Sequence, residues 1–292
     1  AGTYHEDIDF LGKTIRVVGV GPETVIQGTG TTSTVTFING ETQDSVLDSV
    51  TITGGLGQFG GGVRIEDSSP TIVRTVITRN LSSQRGSAIY VENGSPLIYN
   101  NLLSYNTRTG GDPHGIQVIG GAPVIVNNTI VRHDSNGIIL SGGTAAIITN
   151  NVIAFNGATI SGERRGRGIC DFSSGNSTIA YNNFYRNRIG ALLRGGRDWR
   201  AIESYQNNNP SSPVQDNVDG TPGFVKRPHR QAERSSVGSF ALRAIGRTNA
   251  AHLGDPDPLC NNADGTRNSI GFTGGPFAPG SLRTPVSYTH LT

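Results

Sequence analysis

Val124-Ile-Val-Asn-Asn-Thr-Ile-Val-Arg-His133 and Ile147-Ile-Thr-Asn-Asn-Val-Ile-Ala-Phe-Asn156 are two copies of one pattern, two short apolar runs flanking an Asn-Asn pair and closed by a polar residue. Further copies lie at Thr71-Ile-Val-Arg-Thr-Val-Ile-Thr-Arg-Asn80, Leu97-Ile-Tyr-Asn-Asn-Leu-Leu-Ser-Tyr-Asn106 and Thr178-Ile-Ala-Tyr-Asn-Asn-Phe-Tyr-Arg-Asn187, with a weaker one at Val50-Thr-Ile-Thr-Gly54. The closing column reads Gly54, Asn80, Asn106, His133, Asn156 and Asn187, in steps of 26, 26, 27, 23 and 31. A second column of small residues, Gly62, Ala88, Gly115, Gly137, Gly168 and Gly190, keeps phase with it and opens another apolar run.

Runs of two or three β-branched residues are too short for helices, and the variable step excludes leucine-rich and helical repeats, whose period is nearly fixed. The pattern predicts an all-β chain, a right-handed parallel β-helix with coils of 22–31 residues stacked about 4.8 Å apart. Asn is expected at the corners because it tolerates left-handed backbone and can bond from coil to coil. Small residues let the chain turn tightly into the next strand. Ile15, Val17, Val18, Val25, Ile26, Val35, Phe37 and Ile38 are the inward candidates of one or two earlier coils.

Composition agrees. A hydrophobic content of 34% in 292 residues is thin for one globular core, yet a solenoid needs only a few inward residues per coil. Gly 41 and 16% charged residues suit short strands and tight turns. A formal charge of +2 gives no nucleic-acid footprint, and no stretch approaches eighteen consecutive apolar residues, so neither a nucleic acid nor a membrane is an expected partner. Cys170 and Cys260 have no metal-site spacing and read as two isolated thiols rather than a disulfide.

The β-helix is expected over 1–225, with a capping segment from about 195. There Asp198-Trp-Arg-Ala-Ile-Glu-Ser-Tyr205 reads as a helix capped by Asp198, with Trp199, Ile202 and Tyr205 facing the core. Residues 226–254 form an irregular basic segment, with Lys226, Arg227, Arg230, Arg234, Arg243 and Arg247 against Glu233 alone. An Asp/Gly-rich cap follows over 255–284. Residues 285–292 resemble the translation of a sequencing-library adapter. The opening Ala1-Gly-Thr-Tyr4, without a leader segment or any Met, reads as a fragment or processed form.

From Gly2 to Pro276 the chain resembles the bacterial right-handed parallel β-helix repeat proteins, of pectate-lyase-like architecture. The resemblance rests on the entry Gly2-Thr-Tyr-His-Glu-Asp-Ile-Asp-Phe-Leu-Gly-Lys13, the Asn-Asn coils, and the closing Gly254-Asp-Pro-Asp257 with Asp264-Gly-Thr-Arg-Asn-Ser-Ile-Gly271. It implies export, hence a secreted or cell-surface protein. Ala244-Ile-Gly-Arg247 departs from the group's Ala-Ile-Asp-Ala-Gly run. Asp112-Pro113-His114 is similar to the Asp-Pro-His motif of the mannuronan epimerases, in which His114 would transfer the proton beside Asp112. Thr109 stands where that family has Tyr.

The two columns are joined by connections of changing length, and 133 to 137 is short between longer neighbours. With all connections on one edge, this predicts a notch one coil wide. Asp112 and His114 form its lower wall, Arg132, His133 and Asp134 its floor, and Arg164, Arg165 and Arg167 its upper wall. Asp112, His114 and His133 are the catalytic candidates, since uronate chemistry needs a base, an acid and a cation. Arg132, Asp134, Arg164, Arg165 and Arg167 are the substrate-binding candidates. The plainer readings are a ladder substitute for His133 and an exposed, idle side chain for His114.

Asp255, Asp257 and Asp264, with Asn261, Asn262 and Gly265, supply oxygen ligands suited to Ca2+, although the spacing is not that of an EF-hand. No cofactor is required. The function expected is binding of an acidic polysaccharide by a monomeric extracellular solenoid, non-catalytic in the favoured reading, with a polysaccharide lyase or C5-epimerase acting on a uronate polymer as the alternative.

Overall fold

The computed structural model describes residues 1–111, 114–157 and 165–222, together with Gly254, Pro256, Asp257, Asn262, Ile270 and Gly271. The chain is a right-handed parallel β-helix. One coil runs through the strands Thr71–Val73, Val76–Thr78, Leu81–Arg85 and Ile89–Glu92, which belong in that order to sheets A, B, C and D. Sheet A has eight strands, sheets B and D nine each and sheet C three. Within A, B and C every pairing is parallel. Sheet D is parallel until its last strand, Arg197–Trp199, which returns antiparallel along Gly190–Arg194.

In sheet B the register sets Val76 on Leu102, Leu102 on Thr129, Thr129 on Val152 and Val152 on Asn183. Four places on, Asn80, Asn106, His133, Asn156 and Asn187 therefore form one line, as the sequence predicts. In the earlier coil Thr51 pairs with Val76, so Gly55 rather than Gly54 precedes Asn80 in that line. The small column is also aligned, with one correction. Arg167 pairs with Gly190 and Ile169 with Leu192, so Ala191 rather than Gly190 follows Gly168. Closeness of packing explains the small residues: a Cβ on Gly137 would lie 2.9 Å from Ile153 Cγ2, and one on Gly115 would lie 2.7 Å from the His133 ring.

The left-handed corners fall one residue earlier than expected. Arg79, Tyr105, Arg132, Phe155 and Arg186 have φ of 55, 54, 60, 57 and 49°, whereas the Asn or His after each turns inward. These five residues meet the steric cost of the bend, which Gly54 avoids in its coil. The Asn side chains are thereby left to bond along the stack.

Alternation along each strand sends Ile52, Ile77, Leu103, Ile130 and Ile153 into one continuous core with Ile72, Ile98, Ile125 and Ile148 opposite. Val35, Phe37 and Ile26 are buried as expected, but Ile15, Val18 and Ile38 are exposed, because they fall on the outward phase of their strands or in turns. The outward side of sheet B carries its own buried cluster. Ile270 packs there with Val131, Val152 and Ala154, and Gly271 N donates to Asn150 O at 2.7 Å.

The coil pattern continues past Gly190. Val214–Gln215 and Val218–Asp219 extend sheets A and B, separated from the previous coil by a hairpin and by the helix Ile202–Asn208. Asp198 does not cap that helix. It lies in the hairpin strand, and the cap is Ala201, with no side-chain bond. Ile202 and Tyr205 close the core at this end, with Trp199 packed against them.

Candidate functional site

The connections between the two columns do emerge on one edge. Leu56–Phe59, Leu81–Arg85 and Thr107–Arg108 stack there as sheet C, which ends where the 133 to 137 connection is too short to add a strand. A step in the wall results, but its floor is closed. Ser135 and Asn136 are buried, and Asn136 Oδ1 accepts from the backbone N–H groups of Gly166 and Arg167 at 3.0 and 2.8 Å.

His114 lies in this network, 3% exposed rather than idle at the surface. Its Nδ1 is 3.0 Å from Ser135 Oγ and accepts from Asn136 Nδ2 at 3.2 Å, which leaves the proton on Nε2. Burial pushes its pKa down to about 4. His133 is wholly buried in the corner column, where Nδ1 donates to Asn106 O at 3.4 Å. Burial lowers its pKa to about 4 as well, against the opposing pull of the Asn106 and Leu103 carbonyls. Both rings are neutral near pH 7, and neither lies on an open surface.

The remaining candidates separate. Arg132 stacks on Phe155, its guanidinium 4.6 Å from the ring centroid. Asp134 Oδ2 accepts from Arg108 N at 3.1 Å. Arg167 is bonded to Asp198, with Nη2 2.9 Å from Oδ2, and this pairing raises its pKa. Arg165 spans the step: its Nη1 reaches Gly111 O at 3.3 Å, the same carbonyl that accepts from Arg108 Nη1 at 3.2 Å. Asp112 and Arg164 lie outside the described residues, as do Asp255, Asp264 and Cys260. Asp257 is exposed, and Cys170 is buried in the strand Arg167–Asp171.

A second region, which the sequence reading passed over, has the geometry of a binding site. A cavity of about 580 Å³ opens between the turn after Asp171 and the hairpin Gly190–Arg194/Arg197–Trp199. The hairpin turn is Gly195-Gly196, both at positive φ (60 and 73°), as the tight two-residue connection between strands of right-handed twist requires. The legible signal was this Gly-Gly pair between two arginine-bearing runs.

With this geometry in view, the family can be stated. A model of NosD, described as a periplasmic copper-binding protein, matches residues 5–217, well over half of the chain. The chain belongs to the NosD family, and it is a β-helix protein of the periplasmic or extracellular kind. No curated protein sequence matches it. Among solved structures, the crystal structure of pectate lyase Pel9A is similar in architecture, at 12% identity and a TM-score of 0.43 over 93% of this chain and 85% of that one.

The family's description implies copper. Copper(I) selects thiolates and thioethers, and copper(II) favours imidazoles. This chain contains no Met. Cys170 and His133 are buried, the His114 Nδ1 lone pair is taken by Asn136, and no three His, Cys, Asp or Glu lie together among the described residues. The described residues do not fit copper. No helix among them is long and apolar enough to cross a membrane.

Proposed function

We propose that the protein is a non-catalytic binder of acidic polysaccharide outside the cytoplasm. One observation carries this reading. The two imidazoles that would have to move protons are 3% and 0% exposed and neutral, so a polymer on the surface meets neither. Binding does not need them. The surface keeps Arg108 and Arg165 beside the step in the wall, and a pI near 8.7 does not repel a polyanion.

The test is native electrophoresis through gels containing polygalacturonate, alginate or a neutral glucan, with the same polymers assayed for unsaturated products and for epimerised residues. Retardation by the acidic polymers alone, without product, is the expected result. Turnover of either uronate polymer that disappears in His114→Ala would overturn it in favour of the lyase or epimerase alternative.

A further inference from the structure

The hairpin at the end of sheet D sets Arg194 directly opposite Arg197 in an antiparallel pair. Like charges so placed repel, and a sheet does not gain stability from them. Asp171 offsets one of the two, its Oδ2 lying 3.4 Å from Arg194 Nε, while Asp198 is engaged by Arg167. Two guanidiniums against one carboxylate therefore border the 580 Å³ cavity, a volume within the range of roughly 300–1,000 Å³ that small-molecule sites occupy.

Two donors at this cavity lack acceptors. Arg194 Nη1 and Trp199 Nε1 are both buried without a hydrogen-bond partner. An orphaned buried donor costs about 1–3 kcal/mol, so two beside one cavity call for an acceptor. Aromatic surface is present too. Phe172 is 56% exposed, and Trp199 is held by the Tyr205 ring at 5.3 Å and by the Arg197 guanidinium at 4.3 Å from its own centroid. Cations, N–H donors and flat apolar rings in one cavity suit a ligand with a carboxylate and an apolar ring face.

We propose that this cavity binds a carboxylate-bearing sugar residue, its carboxylate between Arg194 and Arg197 and its ring against Phe172 and Trp199. The proposal deepens the polysaccharide-binding reading and rests on it. It places recognition at the far end of sheet D, away from the step at Gly111.

Trp199 is the chain's single tryptophan, so its emission reports on this cavity alone. Tri-galacturonic acid should change that emission saturably, whereas the neutral galactose trisaccharide and inorganic phosphate should not. Arg197→Gln, at an exposed position, should weaken the response about tenfold or more at an unchanged melting temperature, and Arg194→Gln should weaken it as far while lowering the melting temperature, since buried Asp171 loses its counter-charge. No saturable change, an equal response to the neutral sugar or to phosphate, or unaltered affinity in Arg197→Gln would overturn the site. Retardation by polygalacturonate on the same samples separates the two ideas. Retardation with silent Trp199 emission overturns this site and leaves the binding reading standing. Loss of both overturns both.

Discussion

Two asparagine ladders run through the later coils of the solenoid, from Asn80 and from Asn101, and they differ at one coil. In the first, Asn101, Asn128, Asn151, Asn182 and Asn217 succeed one another without a break. From Asn128 onward each Oδ1 accepts both the backbone N–H and the Nδ2 of the preceding Asn, at 2.8–3.0 Å. Each of the five also sends Nδ2 to the carbonyl of an inward Ile one coil back, as Asn151 does to Ile125 O at 2.8 Å. The second ladder makes the same bonds from Asn80 to Asn106 and from Asn156 to Asn187, but His133 interrupts it.

His133 reproduces half of an asparagine. Its backbone N–H still donates to Asn156 Oδ1 at 3.1 Å, and its Nδ1 takes the place of the amide N–H. It has no oxygen to offer Asn106, whose Nδ2 keeps the bonds to Ile77 O and Ser104 O, as Asn80 keeps those to Ile52 O and Thr78 O, but loses the third, coil-to-coil bond. Its Nε2 is buried without a partner. A corner tolerates the exchange only because Gly115 leaves room for the ring. The comparison teaches that the ladder's strength lies in one atom, an amide oxygen that accepts twice, and that shape alone does not replace it.

The largest expected effect comes from breaking the intact ladder. Asn151→Leu strands the backbone N–H of Asn128, removes one of the three acceptors of Asn128 Nδ2 and takes the amide donor from the carbonyls of Ile125 and Thr149, and should cost about 4 kcal/mol or prevent folding. Denaturant titration measures it. A loss below about 1 kcal/mol would mean that the ladder is decoration.

His133→Asn sharpens the comparison from the other side. A ring whose pKa drops from 6.5 to about 4 on folding binds fewer protons folded than unfolded between those values. Stability therefore rises with pH across that window and is lost as pH falls through it, by on the order of 3 kcal/mol for this one ring. The Asn variant should complete the ladder, gain about 1 kcal/mol at pH 7, and lose less stability than the parent between pH 7 and pH 4.5. His114, shifted the same way, keeps the remaining acid sensitivity. Melting curves at both pH values decide the point, and an unchanged acid limb would remove His133 as its cause.

Smallest of all is Arg165→Ala. The half-buried side chain reaches across the step to Gly111 O, and its loss should change stability by no more than about 0.5 kcal/mol. A larger loss by thermal melting would make that bridge part of the fold rather than of the surface.

The sequence by itself determined the solenoid. Asn80, Asn106, His133, Asn156 and Asn187 stand in one column because the spacing of short apolar runs admits one stacking register, and a slip by one residue would turn Ile130 and Ile153 outward. It also brought His133 into that column, as the plainer of its two readings held. What lay beyond it were contacts between residues far apart in the chain. Burial of His114 depends on Ser135 and Asn136 in the next coil, and on Gly166 and Arg167 in the coil after that, so no local pattern announces it. The step in the wall was legible from loop lengths, but not its closed floor. The replacement of Gly190 by Ala191 follows from the parallel register of Arg167–Asp171 on Gly190–Arg194, and the facing of Arg194 with Arg197 from an antiparallel return at which the Gly195-Gly196 turn hints. Periodicity fixes a repeat because each coil must satisfy the same neighbours. A site is made where the repeat fails, and there only the tertiary structure decides which side chains meet.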